Sequence, residues 1–490
     1  MKPPLKSSKN PKIARGGGSL LAEKSIQKLL LNRFKHAKED FHLVENSFSS
    51  AANFFWAVEN WIDNTNSQQT LTYSLFESQQ QIKATLDKLS AQEQDLLNIS
   101  FFLLPGRHQT SLFNGRIQLI IWVGEPITNL KQQTKKVDAW LLNRTTKGTD
   151  DKWIKEFVNQ MVQLSQPKAL YINESDENAK IKTLLIKKGV SATENFGEYI
   201  HPRSFTESKP WFSSPVKIND GLAKTACVIG AGLAGASVAY KLASEGWKVT
   251  VLEAEPLPAT QASGNLAGAI HPLVTADWNI RSQFYQAGYE STLNWLEDWL
   301  EAEEIIGDLS GLIQLAMDEK MQQRLQRAIK QVDIPPEFAN WCSPEEASEL
   351  IGLKTDFPGL FFSKAGWVNP LSVVKRCLAH KNIQVIYQQT VQELKQCPND
   401  SSWKISTKES LQQVASVLIV ATGSLNTKLN QQLNLPIRPV KGQVNHFDNN
   451  TPSKTLKTTV THQGYSVSNI KINGQSMAVS GATFEAPNLS

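Results

Sequence analysis

Gly230, Gly232 and Gly235 stand in "CVIGAGLAGAS" (227–237) with the spacing G-x-G-x-x-G, directly after an apolar run. A turn of this kind binds the pyrophosphate of a dinucleotide. The first glycine permits the tight turn and the second lets the backbone approach the phosphates. The third lets a helix pack closely on its strand, with the helix N-terminus facing the anionic charge. Ala231, Leu233 and Ala234 complete the turn. Glu253 follows 18 residues after Gly235, at the end of "KVTVLEAE", where a carboxylate accepts from ribose hydroxyls. Strand, glycines, helix, strand and acid arrive in order, and that order predicts a complete βαβ unit beginning with a strand over 226–229. The spacing does not choose between FAD and NAD.

Further pieces lie downstream. "LPATQASGNLAGAIHP" contributes Ser263, Gly264, Asn265 and Gly268, and "ASVLIVATGSLN" closes an apolar strand with Ala421, Thr422 and Gly423. Between them, "FFSKAGWVNPLSVVKRCLAH" predicts a hairpin-like turn and a helix, and "NIQVIYQQTV" a strand; "LPIRPVKGQVNHF" and "SMAVSGATFE" come later. Taken singly, each is loop chemistry around glycine. In this order, over about 224–485, they resemble the D-amino-acid-oxidase-like family of FAD-dependent amine oxidases. The resemblance implies FAD as cofactor. It places the "ASGN" segment along the flavin phosphates and ring and has "ATG" pass the dinucleotide a second time. It implies hydride transfer from a carbon beside an amine nitrogen to the flavin, followed by hydrolysis of the imine. Catalysis of that kind rests on the cofactor and its enclosure, so no catalytic side chain is assigned.

At 490 residues the chain calls for several domains, and its composition is globular, with 40% hydrophobic and 20% charged residues. A net charge of +5 permits a polyanionic partner without requiring one. Four cysteines without CxxC or metal spacing read as reduced thiols of a cytoplasmic protein with no metal site. No run of 18 apolar residues marks a membrane span. The basic, Pro/Gly/Ser-rich start predicts a disordered tail over 1–30, with a transit peptide as the alternative. "ESKPWFSSPVK" reads as part of a linker over 207–223. Between them, over 31–206, strands alternate with helices: "FHLVENSFSSAANFFWAVENWI" as strand, turn and helix, the strands "TLTYSLFES" ending at Glu77, "GRIQLIIWVGEPI" and "KVDAWLLN" over 137–143, and "WIKEFVNQMVQLSQPKALYIN" as helix, turn and strand. That alternation predicts a parallel α/β sheet.

The two-domain order, "VDAW", "GRIQL", the "PWF" junction and "ASGN" together resemble the bifunctional tRNA 5-methylaminomethyl-2-thiouridine biosynthesis proteins. The resemblance implies a Rossmann-like methyltransferase-type domain ahead of a Rossmann-type FAD domain (224–490) with an inserted α+β substrate domain. It implies action on the wobble uridine of tRNA. The FAD half removes a carboxymethyl group from 5-carboxymethylaminomethyluridine, and the first half methylates the freed amine with S-adenosylmethionine. It also exposes departures. A family loop of the form E-x-G-F-G-T-G-x-N-F reads "ENSFSSAANF" here, with Ser47, Ser49 and Ala51 at the glycine positions; Glu45 survives, as does Glu77 where ribose hydroxyls are held. Asn143 takes the place of an aspartate, and an amide neither accepts the amine's proton nor carries charge to hold an ammonium. Methyl transfer is therefore expected to be impaired. The resemblance further implies well over a hundred residues after "SGATFE"; the chain ends at "APNLS", which predicts an incomplete flavin pocket and poor turnover. Lys131, Lys135, Lys136, Arg144 and Lys147 are expected to cluster near the methyltransferase site, as a face for RNA phosphates or as a solvated loop. Two further readings stand beside the leading one: a free amino-acid or secondary-amine oxidase, and a non-catalytic protein that still binds FAD or tRNA.

Overall fold

The computed structural model describes residues 24–37, 40–48, 51–66, 69–97, 102–113, 115–142, 150–173, 179–192, 196–200, 223–398, 402–423, 427–435, 437, 440–449, 451–472 and 474–483. The chain divides into two compact units, Met1–Val216 and Lys217–Ser490. The expected link at 207–223 falls outside the described residues except for Ala223.

The first unit is built on one eight-stranded sheet. Its strands are β1 (Phe41–Glu45), β2 (Leu71–Glu77), β3 (Gly106–Leu112), β4 (Ile117–Val123), β5 (Val137–Leu142), β6 (Ser165–Asn173), β7 (Val190–Ala192) and β8 (Phe196–Tyr199), in the order β3-β4-β2-β1-β5-β6-β8-β7. β4, β2, β1, β5 and β6 run parallel. All five residues of β1 and all seven of β2 are buried, including the polar His42, Glu45, Thr72, Ser74 and Glu77. The expected parallel α/β sheet is present, with antiparallel strands added at both ends of it. β3 runs antiparallel to β4, and β8 lies antiparallel between β6 and β7. Such strands need no crossover helix, so the strand–helix alternation did not announce them.

The tail boundary is corrected. Lys24–Lys35 is a helix with Ile26, Leu30 and Phe34 buried. These apolar residues recur every four positions and pack against the first-unit core, where Phe34 meets Phe41 and Trp61 edge-to-face. Residues 24–30 thus belong to the folded unit; 1–23 lie outside the described residues.

The second unit holds a four-stranded parallel sheet in the order Ile383–Ile386, β10 (Lys248–Leu252), β9 (Thr225–Ile229), Val417–Val420. Helix Leu233–Ser244 connects β9 to β10 and lays Gly235, Ala236, Ala239 and Ala243 in its buried face. A meander of Val391–Gln396, Trp403–Thr407 and Gln412–Ala415 follows the Ile383–Ile386 strand. A seven-stranded mixed sheet forms the α+β portion, and a small three-stranded sheet joins Gly268–Ile270, Gly366–Val368 and Gly307–Asp308. The hairpin expected at "FFSKAGWV" is not one. Gly359–Phe362 pairs with Leu312–Leu315 and Asn340–Cys342, whereas Gly366–Val368 joins the small sheet. Asn369 then caps helix Pro370–Leu378 by accepting from the Ser372 amide. Among the described residues, no helix is long and apolar enough to cross a membrane.

Candidate functional site

β9 delivers the chain into the glycine turn at the carboxyl edge of the parallel sheet, between β10 and Val417–Val420. Gly230 has φ +105°, and a Cβ there would lie 2.5 Å from the Ala421 carbonyl oxygen. A Cβ on Gly235 would come within 1.9 Å of the Gly230 carbonyl oxygen. Both positions therefore require glycine for the fold itself. Gly232 differs: its backbone is extended (φ −82°, ψ −176°), and its nearest neighbour would be Ser263 Oγ at 3.2 Å. It is the N-cap of the helix but supplies no side-chain cap. The helix's first turn carries no acidic residue, which leaves the positive end of its dipole facing an open cradle.

Two side chains fasten this cradle. Glu253, just past β10, accepts from the Ala231 amide at 2.6 Å and from the Glu255 amide at 3.0 Å. Ser263 Oγ accepts from the Leu233 amide at 3.0 Å. The segment after β10 is thereby drawn over the turn, and a Cβ on Gly264 would meet the Ala259 carbonyl at 2.6 Å. Ala421, Thr422 and Gly423 close the other side, with the Ala421 amide donating to the Ile229 carbonyl at 2.9 Å. Gly423, at φ +61°, turns the chain away. Gly268 opens the small sheet opposite Val368, and the Asn369 side chain anchors the preceding loop by donating to the Leu266 carbonyl at 2.9 Å. The structure thus gathers Gly230, Ala231, Gly232, Leu233, Ala234, Gly235, Glu253 and Ser263 at one edge, flanked by Ala421 and Thr422. These residues fit a dinucleotide: a pyrophosphate over Gly232 and the helix N-terminus, and a ribose within reach of Glu253. The Ser263 contact to Leu233 was not foreseen from the spacing, because it joins residues 30 apart. Gly235→Ala is expected to lower the stability of the second unit by roughly 1–3 kcal/mol through overpacking, measured by urea unfolding of the full chain.

The carboxyl edge of the first unit's sheet is arranged differently. Glu45 is fully buried and accepts from Asn53 Nδ2 at 2.8 Å and from the Tyr73 hydroxyl. Burial, with the Glu45 charge beside it, holds the Tyr73 phenol well above its ordinary pKa, so it remains a donor. Glu77 is also buried; it accepts from Ser47 Oγ at 2.8 Å and from the Ser78 amide at 2.8 Å. The Phe48 ring is buried and its carbonyl accepts from Thr85 Oγ1 at 2.6 Å. Ala51 is buried too. The two carboxylates that the family resemblance assigns to S-adenosylmethionine, Glu45 and Glu77, each accept from the chain's own donors. Asn143, Arg144 and Lys147 lie outside the described residues.

The expected basic cluster is corrected. Lys135 and Lys136 precede β5, at the end of the parallel sheet opposite Glu45 and Glu77. Lys135 donates to Thr72 Oγ1 at 2.7 Å, and burial lowers its pKa. Lys136 donates to the Gln163 carbonyl at 2.7 Å, and Lys131 pairs with Glu156 at 3.1 Å. These lysines are tied to the unit itself rather than gathered at the site.

Comparison with known proteins agrees with the geometry. The sequence model of the FAD dependent oxidoreductase family (DAO) matches residues 225–483. The tRNA 5-methylaminomethyl-2-thiouridine biosynthesis bifunctional protein MnmC of Hydrogenovibrio crunogenus is 44% identical over 470 residues, covering 92% of this chain and 69% of the relative. The protein of the same name from Pseudomonas savastanoi pv. phaseolicola is 27% identical over 474 residues, covering 90% and 69%. Among solved structures, glycine oxidase from Bacillus cereus ATCC 14579 is similar at 20% identity and a TM-score of 0.44, covering 54% of this chain and 72% of that one. With a dinucleotide cradle in its second unit and this identity across both units, the chain belongs to the tRNA 5-methylaminomethyl-2-thiouridine biosynthesis bifunctional protein (MnmC) family.

Proposed function

We propose that this chain acts in the modification of the tRNA wobble uridine, as an FAD-dependent amine oxidoreductase that removes the carboxymethyl group from 5-carboxymethylaminomethyl-uridine or its 2-thio form. The observation that carries the reading is the glycine cradle at Gly230–Gly235, fastened by Glu253 and Ser263, in a chain of this family. Bound FAD supplies a hydride acceptor for the carbon next to the amine nitrogen. The chain's part is to hold the pyrophosphate against Gly232 and the helix N-terminus, and the adenosine ribose against Glu253. The C–H bond next to nitrogen breaks, its electron pair leaves with the hydride, and the nitrogen lone pair forms C=N. Water then adds to that carbon and releases the two-carbon piece as an oxo acid, leaving the aminomethyl base. All four cysteines are free thiols, which suits the cytoplasm that a tRNA substrate implies. No methylation step is assigned to the first unit.

The test is anaerobic mixing of the FAD-loaded protein with tRNA carrying 5-carboxymethylaminomethyluridine. Loss of the oxidised flavin's visible absorbance is expected with this tRNA and not with glycine or sarcosine. Bleaching by the free amino acids alone would move the assignment to a simple amine oxidase. Tight FAD binding with no bleaching by either would mark a non-catalytic binding protein.

A further inference from the structure

We infer that the nucleoside-cofactor site of the first unit is closed from inside by Ser47, whose hydroxyl takes the place of a ribose hydroxyl on Glu77, and that removing this side chain reopens the site to adenosine compounds. The inference rests on the family reading for the kind of ligand, but its geometry is this chain's own. In an open α/β sheet, ligands bind outside the carboxyl ends of the strands where the strand order reverses, and an acid at the end of the second strand accepts from ribose. Here the order reverses at β1, which lies between β2 and β5. Glu77 ends β2 at that edge, buried, with its Oε2 accepting from Ser47 Oγ at 2.8 Å.

Described residues on either side of Ser47 are also held by the chain's own groups. Asn53 reaches back to Glu45 at 2.8 Å, and Thr85 holds the Phe48 carbonyl at 2.6 Å. The Asn46 amide prolongs the β1–β5 ladder by donating to the Leu141 carbonyl at 3.1 Å. A ligand hydroxyl would have to displace a buried, charge-assisted hydrogen bond and also find room beside the Ser47 Cβ, which a glycine would not present. Ser47 stands at one of the family's glycine positions and its side chain is bonded to the ribose-type carboxylate, so it is the specificity-determining residue.

The experiment is calorimetric titration of S-adenosylhomocysteine and adenosine into the full chain and into Ser47→Gly, Ser47→Ala and Ser47→Gly/Glu77→Gln, with circular dichroism as the folding check. The wild-type chain is expected to give no binding heat at millimolar ligand. Ser47→Gly is expected to bind tighter by roughly 10- to 100-fold, the effect of freeing one charged hydrogen-bond acceptor. Ser47→Ala should show a smaller gain, because its Cβ remains, and the added Glu77→Gln should cancel the gain. Micromolar binding by the wild-type chain would overturn the inference. So would the absence of any gain in Ser47→Gly, or in Ser47→Ala if the glycine variant fails to fold. Flavin reduction by tRNA reports on the other unit, so failure of the oxidoreductase reading leaves this readout intact.

Discussion

Gly232→Val is expected to abolish FAD uptake while leaving the second unit folded. The backbone at Gly232 is extended rather than left-handed, so a β-branched residue adopts it without strain. The built Cβ meets only the Ser263 side chain, Oγ at 3.2 Å and Cβ at 3.9 Å, and no backbone atom within 4 Å. The fold therefore tolerates the side chain. The ligand does not, because valine's two γ-carbons would stand over the amides where the pyrophosphate lies, and they would cover the positive end of helix Leu233–Ser244. Loss of that approach is expected to weaken FAD by at least ~100-fold, or roughly 2.7 kcal/mol. The contrast with Gly230 and Gly235 separates binding from folding, since a Cβ at those positions would press on backbone oxygens at 2.5 and 1.9 Å. The measurement is an absorbance titration with FAD beside a urea melt of the same variant. Wild-type uptake by Gly232→Val would show that the pyrophosphate does not cross this residue.

The first unit is expected to lose stability between neutral pH and pH 3 because of His42. This ring is buried in β1 between Ser74, whose Oγ lies 2.9 Å from Nε2, and the Lys136 carbonyl, 3.0 Å from Nδ1. A carbonyl only accepts, so Nδ1 carries the hydrogen and Nε2 accepts from the Ser74 hydroxyl. Burial, helped by the Lys135 charge and opposed by the backbone hydrogen bonds, lowers the ring's pKa from 6.5 to about 3. A histidine depressed in the folded state binds fewer protons there than in the unfolded chain throughout that window. Its contribution is therefore fully present above pH 6.5 and is lost as pH falls toward 3. The expected loss from this residue is about 2 kcal/mol by pH 5 and roughly 4 kcal/mol by pH 3. Carboxylates titrate in the same range, so the readout is a difference. Urea unfolding of full-length wild type and His42→Gln, followed through exchange protection of β1 and β5 peptides, should diverge as pH changes. Parallel curves for the two proteins would remove His42 as the cause.

The dinucleotide cradle was legible because its determinants are local. Strand, glycine spacing, helix and Glu253 fall within about thirty residues, and Gly230 and Gly235 answer constraints imposed by near neighbours or by the residue just past the adjoining strand. β1, β2 and β5 were legible for a related reason: short runs rich in Leu, Val, Phe, Tyr and Trp read as buried strands even where His42, Thr72, Ser74 and Asp138 interrupt them. The helix at Lys24–Lys35 was readable in principle from Ile26, Leu30 and Phe34, but the basic, Gly-rich stretch before it hid the period. The short strands β7 and β8 are three and four residues long and carry too little pattern to be recognised.

Pairing was what the sequence could not supply. "FFSKAGWV" reads locally as a hairpin, yet its two strands are claimed by partners distant in the chain, Leu312–Leu315 for one and Gly268–Ile270 for the other. Strand register depends on which surfaces are buried together, and no local window contains that information. The same holds for the first unit's site. The sequence by itself determined that serine replaces glycine at position 47 and that Glu77 ends a strand. Only the tertiary structure decided that the two meet. β1 pairs with β2 with Glu45 opposite Leu75, and continuing that register two residues brings Ser47 opposite Glu77, in reach of the 2.8 Å hydrogen bond. A substitution that reads in sequence as the loss of backbone freedom becomes, once the strands are paired, a hydrogen-bond donor to the buried Glu77 carboxylate.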